Sequence, residues 1–215
     1  FTAAQSIAGW NSDQMLVLYG VFMLVFALQF IFLYPNLVAM GDMVNSGNLD
    51  LLLTKPVNAQ LILSFRRISF EELGSISTAI ALLGWLTFKG AIHLTPLSVA
   101  LFLVAIVSSM LLIYCLFLLL MCLAVFLERL DNMAQLMWSM FSLCRYPVDV
   151  YPARLRFMFF SFLPVAYIAS VPAAALLGTA SAGQIMTGMI IALTATFATT
   201  LLWRRTIRAY TSAGG

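Results

Sequence analysis

The sequence predicts an all-α membrane protein, and two observations support this prediction. Hydrophobic residues make up 63% of the 215 residues and charged residues only 9%, whereas soluble domains have about 25% charged residues. The apolar runs are about 20 to 30 residues long without polar alternation, which suits membrane-spanning helices and excludes a β-barrel. A chain of this size in water would need a polar surface, so we expect lipid to surround much of it.

Five stretches are predicted to cross the membrane. They are residues 14–34, 73–92, 96–127, 132–147 and 184–203. Asn11 and Gln14 suit a helix start before the first stretch, and Pro35 suits its end. The third stretch opens at Pro96 and would extend about 45 Å as a helix, longer than a hydrocarbon core of about 30 Å. It is therefore expected to tilt, kink or project beyond the bilayer.

Two polar interruptions separate these stretches. Residues 36–57 predict a short amphipathic helix, a turn at Ser46-Gly47 and a second apolar turn ending at Pro56, and a helix over 59–72 would place Arg67 and Glu71 on one face. Residues 147–178 hold four prolines, which one straight helix cannot accommodate. They predict two short helices that enter the membrane and return, with one kinked span over 156–178 as the alternative.

The basic residues predict an orientation. Seven lysines and arginines fall on one side of the five spans and four on the other, and the side richer in basic residues faces the cytoplasm. The 36–72 connection and the C-terminus are therefore expected inside, and residues 147–178 outside. The chain begins at Phe1 without a signal-peptide pattern, so we expect it to be an N-terminally truncated piece that lacks a first helix.

Several function classes are disfavoured by the sequence. The one histidine, His93, has no paired carboxylate, and no H-E-x-x-H, G-x-S-x-G or phosphate-loop motif occurs, so no catalytic, cofactor-binding or metal-binding residue is predicted. Ser108 and Ser109 are expected to bond back to the preceding helical turn, and the three cysteines to be buried apolar residues. The net charge of +3 without a basic face disfavours nucleic-acid binding, and charges confined to loops and span ends disfavour an ion-coupled pump.

Three segments resemble type-2 ABC exporter permeases of bacteria. The first runs from Gly47 to Val57, the second from Tyr146 to Gly178, and the third is the tail from Trp203 to Gly215. The resemblance implies one permease domain over residues 1–215 with six helices, the first of them missing here, in the bacterial inner membrane. It also implies a cytoplasmic coupling helix within 36–57, a re-entrant external hairpin within 147–178, and a second permease copy or paralogue as partner. ATP and Mg would be bound by a separate ABC ATPase subunit, so the chain itself would not be an enzyme.

The resemblance assigns two sets of candidate residues. The ATPase-coupling set is Gly47, Asn48, Leu49, Asp50, Leu51, Leu52, Lys55 and Pro56. The external gate or hairpin set is Tyr146, Pro147, Tyr151, Pro152, Pro164, Tyr167 and Pro172. The alternative role for the first set is a self-contained turn that lies on the lipid headgroups. The alternative role for the second set is an interfacial anchor. The alternative function is a membrane scaffold or channel-like component. Apolar spans facing a dimer cavity would suit an amphipathic or hydrophobic cargo, but no motif in the sequence identifies the substrate.

Overall fold

The structure is a computed structural model that describes residues 9–46, 48–56, 58–127, 133–161 and 165–209. These residues form helices and no strand, as the sequence predicts. The helices are α1 Ser12–Phe32, α2 Tyr34–Asn45, α3 Asn48–Leu53, α4 Ala59–Phe65, α5 Leu73–Phe88, α6 Pro96–Leu127, α7 Met133–Leu143, α8 Ala153–Ser161, α9 Ser170–Leu176 and α10 Ala182–Ala209. Two 3-10 turns, Val148–Val150 and Val165–Tyr167, precede α8 and α9.

The first helix begins where its polar residues predict, but the apolar helical segment continues past Pro35 as α2. Asn11 Oδ1 accepts the Gln14 backbone N–H at 2.8 Å, and the Gln14 side chain accepts the Asn11 N–H at 3.0 Å, so the two residues form a capping box. Helix α1 ends at Phe32, and Pro35 lies in the first turn of α2. A proline is tolerated there because the first turn does not use its missing N–H.

Within the part of the chain that the structure describes, three helical segments are long and apolar enough to cross a membrane. They are Ser12–Met40, Pro96–Leu123 and Ala182–Arg208. The pair formed by α8 and the segment Val165–Leu176 would be a fourth, although its two halves are bent by 71°, as in a broken span or a re-entrant loop. Helix α5 has 16 residues and α7 has 11, or about 24 Å and 17 Å. The five-span interpretation therefore stays a prediction.

Helix α6 is the central element of the bundle. It starts at Pro96 and has 32 residues, as the sequence predicts, and it packs against α10, α9, α2 and α1. Ser108 on α6 is 3.6 Å from the Met189 sulfur on α10, and Cys115 lies 3.1 Å from Thr196. Since the contact positions increase along both helices, α6 and α10 run parallel.

Polar contacts bring distant segments together at one end of the bundle, which we call the proximal end. Lys89, after α5, donates to Asp13 in α1 at 2.7 Å. Trp10 donates its indole N–H to Asp149 at 3.1 Å. The side chains of Lys89 and Asp13 are both partly exposed, so their ion pair adds little stability. The start of α1, the end of α5 and the turn before α8 nevertheless share this end.

The opposite end, which we call the distal end, is organised by Asn36. Asn36 is buried, and its Oδ1 accepts the Arg67 backbone N–H at 2.8 Å while its Nδ2 donates to the Arg67 and Phe32 carbonyls, each at 2.8 Å. Helix α4 ends at Phe65, and α5 begins only at Leu73. The predicted helix that would pair Arg67 with Glu71 is therefore wrong, because Asn36 holds residue 67 in a non-helical connection instead.

Candidate functional site

The 36–57 segment folds into two short helices at the distal end. Helix α2 ends at Asn45, a turn follows at Ser46, and α3 covers Asn48–Leu53, as the sequence predicts. Leu49 and Leu52 are buried in the chain's own core, because their three-residue spacing puts them on one face of α3. Leu51 is 66% exposed, so α3 is anchored on one face and presents an apolar side chain on the other.

The remaining coupling candidates surround this exposed leucine. Asn48 donates its side-chain N–H to Ser46 Oγ at 2.7 Å, which braces the turn between α2 and α3. Lys55 and Pro56 are exposed beyond the end of α3. Gly47 and the Asp50 side chain lie outside the described residues. The structure thus divides the predicted set into residues that hold α3 in place and residues that a partner could touch.

Two grooves flank the connection after α4. One has a volume of about 360 Å³ and lies between α2, α3 and the arginine pair Arg66-Arg67. The other has a volume of about 1070 Å³, with an apolar wall that includes Tyr34 and Phe70 and a polar rim of the same arginines with Glu71 and Glu72. Both grooves open at the distal end. Their lining gives this end a concentration of charged side chains that the apolar helices do not have.

The 147–178 segment consists of an exposed half and a buried half. Arg154 and Phe157 on α8 are exposed, whereas nearly every residue of α9, Pro172 included, is buried. Helix α9 packs against α6, α1 and α10. The second half therefore belongs to the core of the bundle, and only the first half covers its surface.

Tyr167 ties the buried half to two helices. Its backbone carbonyl accepts a hydrogen bond from Ser109 Oγ at 2.8 Å. A Cβ added to Gly188 on α10 would lie 2.5 Å from Tyr167 Cδ1, so the ring rests directly on the α10 backbone. Phe160 of α8 meets the same ring edge-to-face at 5.5 Å. Only a residue without a side chain allows this close approach at position 188.

Tyr151 organises the exposed half. Its hydroxyl donates to the Leu143 carbonyl at 3.1 Å, and its ring meets Phe159 at 4.9 Å and 90°. Burial raises the pKa of this hydroxyl. A tyrosine hydroxyl is protonated at neutral pH even without such a shift, so it can donate this bond. Arg156 pairs with Asp149 at 3.1 Å.

The other candidates of the hairpin set differ in exposure. Tyr146 and Pro152 are exposed, and Pro147 is buried. Pro164 lies outside the described residues. The set is therefore not one surface: part of it faces outward, and part of it is held inside the bundle.

Sequence reasoning missed a polar network between α4, α6 and α10. Gln60 Nε2 donates to Tyr114 OH at 3.0 Å and to Thr200 Oγ1 at 3.2 Å, and Ser64 Oγ lies 3.0 Å from the same tyrosine oxygen. Gln60 and Ser64 are four residues apart, which places both on one helix face. The spacing of Gln60 and Ser64 could have predicted a polar face on α4, but it could not have predicted that Tyr114 and Thr200 bind to that face.

The serines and cysteines behave as the sequence predicts. Ser108 Oγ donates to the Val104 carbonyl at 2.9 Å and Ser109 Oγ to the Ala105 carbonyl at 2.8 Å. All three cysteines are buried. These groups therefore serve helix packing.

Comparison with known proteins gives one result. A protein-family model described as "ABC-2 family transporter protein" matches residues 1–214. No curated protein and no solved structure matches significantly. The family match covers nearly the whole chain, including both interrupted segments and the basic tail. The chain belongs to the ABC-2 family of transporter proteins and is a membrane component of an ABC transporter.

Proposed function

We propose that the chain is the permease subunit of an ATP-driven exporter, forming the substrate pathway and coupling to a separate ABC ATPase. The observation that carries this proposal is the division of α3. Leu49 and Leu52 fix the helix to the bundle, while Leu51 is left 66% exposed at the distal end. A short helix that is anchored on one side and apolar on the other suits docking into a partner's groove.

The charge distribution supports a cytoplasmic location for α3. Six basic residues lie at the distal end: Lys55, Arg66, Arg67, Arg204, Arg205 and Arg208. Three lie towards the proximal end: Lys89, Arg154 and Arg156. Arg145 lies over the Phe22 ring, near the middle of α1. The positive-inside rule then places the distal end and the C-terminus in the cytoplasm of a bacterial inner-membrane protein, where an ATPase can reach α3.

Coupling would act through the rigid connections of α3. A push on its exposed face reaches α2, and α2 continues into α1 with one break at residue 33. Asn36 fixes this junction to the backbone of Arg67. Closure of a docked ATPase would therefore tilt the α1–α2 unit together with the connection to α5. Two permease subunits, as copies or paralogues, would enclose the pathway for an amphipathic or hydrophobic cargo.

The test is a charge introduced at the exposed leucine. Leu51→Asp should abolish co-purification of the ABC ATPase and transport-coupled ATP hydrolysis, because an apolar contact would become a buried unpaired charge. Leu97→Asp is the matched control, since Leu97 is 67% exposed but lies in the first turn of α6. Leu52→Asp is unsuitable because Leu52 is buried in the chain's own core.

Intact coupling in Leu51→Asp would refute docking through α3 and favour a turn that lies on the headgroups. Size-exclusion chromatography of both variants would show that the fold is kept. If the wild-type chain bound no ATPase, this result would favour a membrane scaffold or channel-like component.

The exposed half of the 147–178 segment is proposed as an external gate. Cysteines at positions 151 and 167, joined by a bifunctional reagent, should block export if the two halves move relative to each other. Unchanged export after cross-linking would leave only an anchoring role, in which Tyr146 and Tyr151 hold the segment at the headgroups.

A further inference from the structure

A groove at the distal end lies between α4 and the last turns of α10, and we call it the basic groove. Its volume is about 210 Å³. The polar and aromatic side chains that line it are Asn58, Gln60, Trp203, Arg204 and Arg208. It is separate from α3 and its exposed leucine, so the docking proposal does not account for it.

The groove is rich in unpaired positive charge. Arg204 and Arg208 are four residues apart, so both guanidinium groups lie on the same side of α10. The two ion pairs among the described residues involve other side chains, and both groove arginines are exposed. Planar guanidinium groups with free N–H donors match the oxygens of a phosphate group.

Trp203 adds an unused donor to the same groove. Its side chain is only 3% exposed, and no described residue accepts a hydrogen bond from its indole N–H. The indole nitrogen is not among the fully buried atoms that lack a partner, so a molecule in the groove can reach it. A ligand oxygen in the groove would accept this hydrogen bond.

An exposed apolar stripe leads along α10 to the arginines. Its members are Ile190, Leu193, Phe197 and Leu201. They are spaced three or four residues apart and continue in register into Arg204 and Arg208, so they share one face of the helix. From Ile190 to Arg204 the helix rises about 21 Å, which covers one leaflet of a hydrocarbon core about 30 Å thick.

We propose that the basic groove and the apolar stripe together bind a glycerophospholipid with an anionic headgroup, in the leaflet at the distal end of the bundle. The arginines and the indole N–H bind the phosphate oxygens, and the acyl chains lie along the stripe. A free phosphate ion would leave the stripe unused. The site needs only the membrane-embedded chain, so it can be tested without the ATPase.

The experiment measures quenching of Trp203 by brominated lipids in vesicles that contain the full chain. Phe replaces the other three tryptophans, Trp10, Trp85 and Trp138, and dibrominated phosphatidylglycerol is compared with dibrominated phosphatidylcholine of the same chain length. Each arginine near an anionic headgroup contributes about fivefold in affinity, so we expect a preference for phosphatidylglycerol of about 25-fold. Unbrominated phosphatidylglycerol, but not phosphatidylcholine, should relieve the quenching.

Charge-matched variants distinguish a site from general surface attraction. Arg204→Gln and Arg208→Gln should each lower the preference about fivefold. Arg205→Gln removes the same charge from the same turn, but Arg205 does not line the groove. Its preference should therefore change less than about twofold, because a charge outside the groove makes no direct contact with the bound phosphate and acts only through screened long-range attraction.

Three results would overturn the proposal. Equal quenching by both lipids would show that the groove does not select charge, and an equal loss in Arg205→Gln would show general attraction to the basic tail. No quenching by either lipid would show that another protein surface, such as a second permease copy, covers the groove. Since the measurement uses no ATPase, none of these results depends on the coupling proposal.

Discussion

The contact between Gly188 and Tyr167 allows a sharp test of how the last helix packs on the 147–178 segment. A Cβ at position 188 would lie 2.5 Å from Tyr167 Cδ1, 2.9 Å from Cε1 and 3.4 Å from Cγ. Carbon atoms in contact prefer separations of about 3.5–4.0 Å. Gly188→Ala therefore requires the tyrosine ring or the α10 backbone to move by about 1 Å.

The ring has little room to move. It is buried, Phe160 contacts it edge-to-face at 5.5 Å, and the Tyr167 carbonyl is held by Ser109 at 2.8 Å. Inserting a methyl group into such a packed site costs about 1–3 kcal/mol. This cost outweighs the gain of about 0.5–1 kcal/mol that alanine brings to a helix interior in place of glycine.

The assay is thermal unfolding of the purified protein in detergent, with Gly183→Ala as the matched control. Both glycines lie in α10, but a Cβ at Gly183 would have as its nearest neighbour Ser181 Oγ at 3.9 Å. We expect Gly188→Ala to lower the unfolding midpoint by several degrees, since about 1 kcal/mol corresponds to about 2–4 °C at this size. Gly183→Ala should leave the midpoint unchanged or raise it.

A double-mutant cycle identifies the cause of the loss. In a Tyr167→Leu background the ring is gone, so Gly188→Ala should cost less than about 0.5 kcal/mol. The reasoning would be refuted if Gly188→Ala were as stable as Gly183→Ala, or if its cost were the same with and without the ring.

Three further substitutions test contacts that position the ends and the core. Asn36→Leu removes three hydrogen bonds at the junction of α1 and α2 and should lower the free energy of unfolding by about 2–4 kcal/mol. Asn48→Leu, the control, loses one exposed hydrogen bond and should lower it by less than about 1 kcal/mol. Equal losses would contradict the conclusion that the Asn36 bonds hold the junction together. Ser109→Ala should lower the free energy of unfolding by about 1 kcal/mol. Ser108→Ala should cost less, because the contact of Ser108 outside its own helix is a methionine sulfur. The reverse order would argue against a stabilising bond from Ser109 to the Tyr167 carbonyl. Lys89→Gln should lower stability by no more than about 1 kcal/mol at low salt and have no effect at 1 M salt, because its ion pair is exposed; a loss that persists at high salt would show that the pair is not simply screened.

Features set by local chemistry could be predicted from the sequence. Pro96 opens α6, and Asn11 caps α1, since both effects depend on the residue and its own helical turn. The break before Pro35 and the interrupted segment around four prolines follow from the same kind of constraint. These signals act over a few residues, so they need no knowledge of the tertiary fold.

Contacts between helices could not be predicted in the same way. In a membrane both lipid-facing and protein-facing positions are apolar, so hydropathy does not distinguish them. Leu49 and Leu51 look alike in the sequence, yet only Leu51 is left exposed. The bond from Asn36 to residue 67 joins positions 31 apart, and no local pattern encodes that pairing.

Helix α6 gives α4 and the 147–178 segment a short physical connection. Ser109 donates a hydrogen bond to the carbonyl of Tyr167 in the 147–178 segment, and the Tyr114 hydroxyl is hydrogen-bonded to Gln60 and Ser64 on α4. Positions 109 and 114 are five residues apart, or about 7.5 Å of helix rise. Helix α4 and the 147–178 segment are therefore attached to nearly the same level of α6. A tilt of α6 would move both attachments together, because each element is hydrogen-bonded directly to this helix.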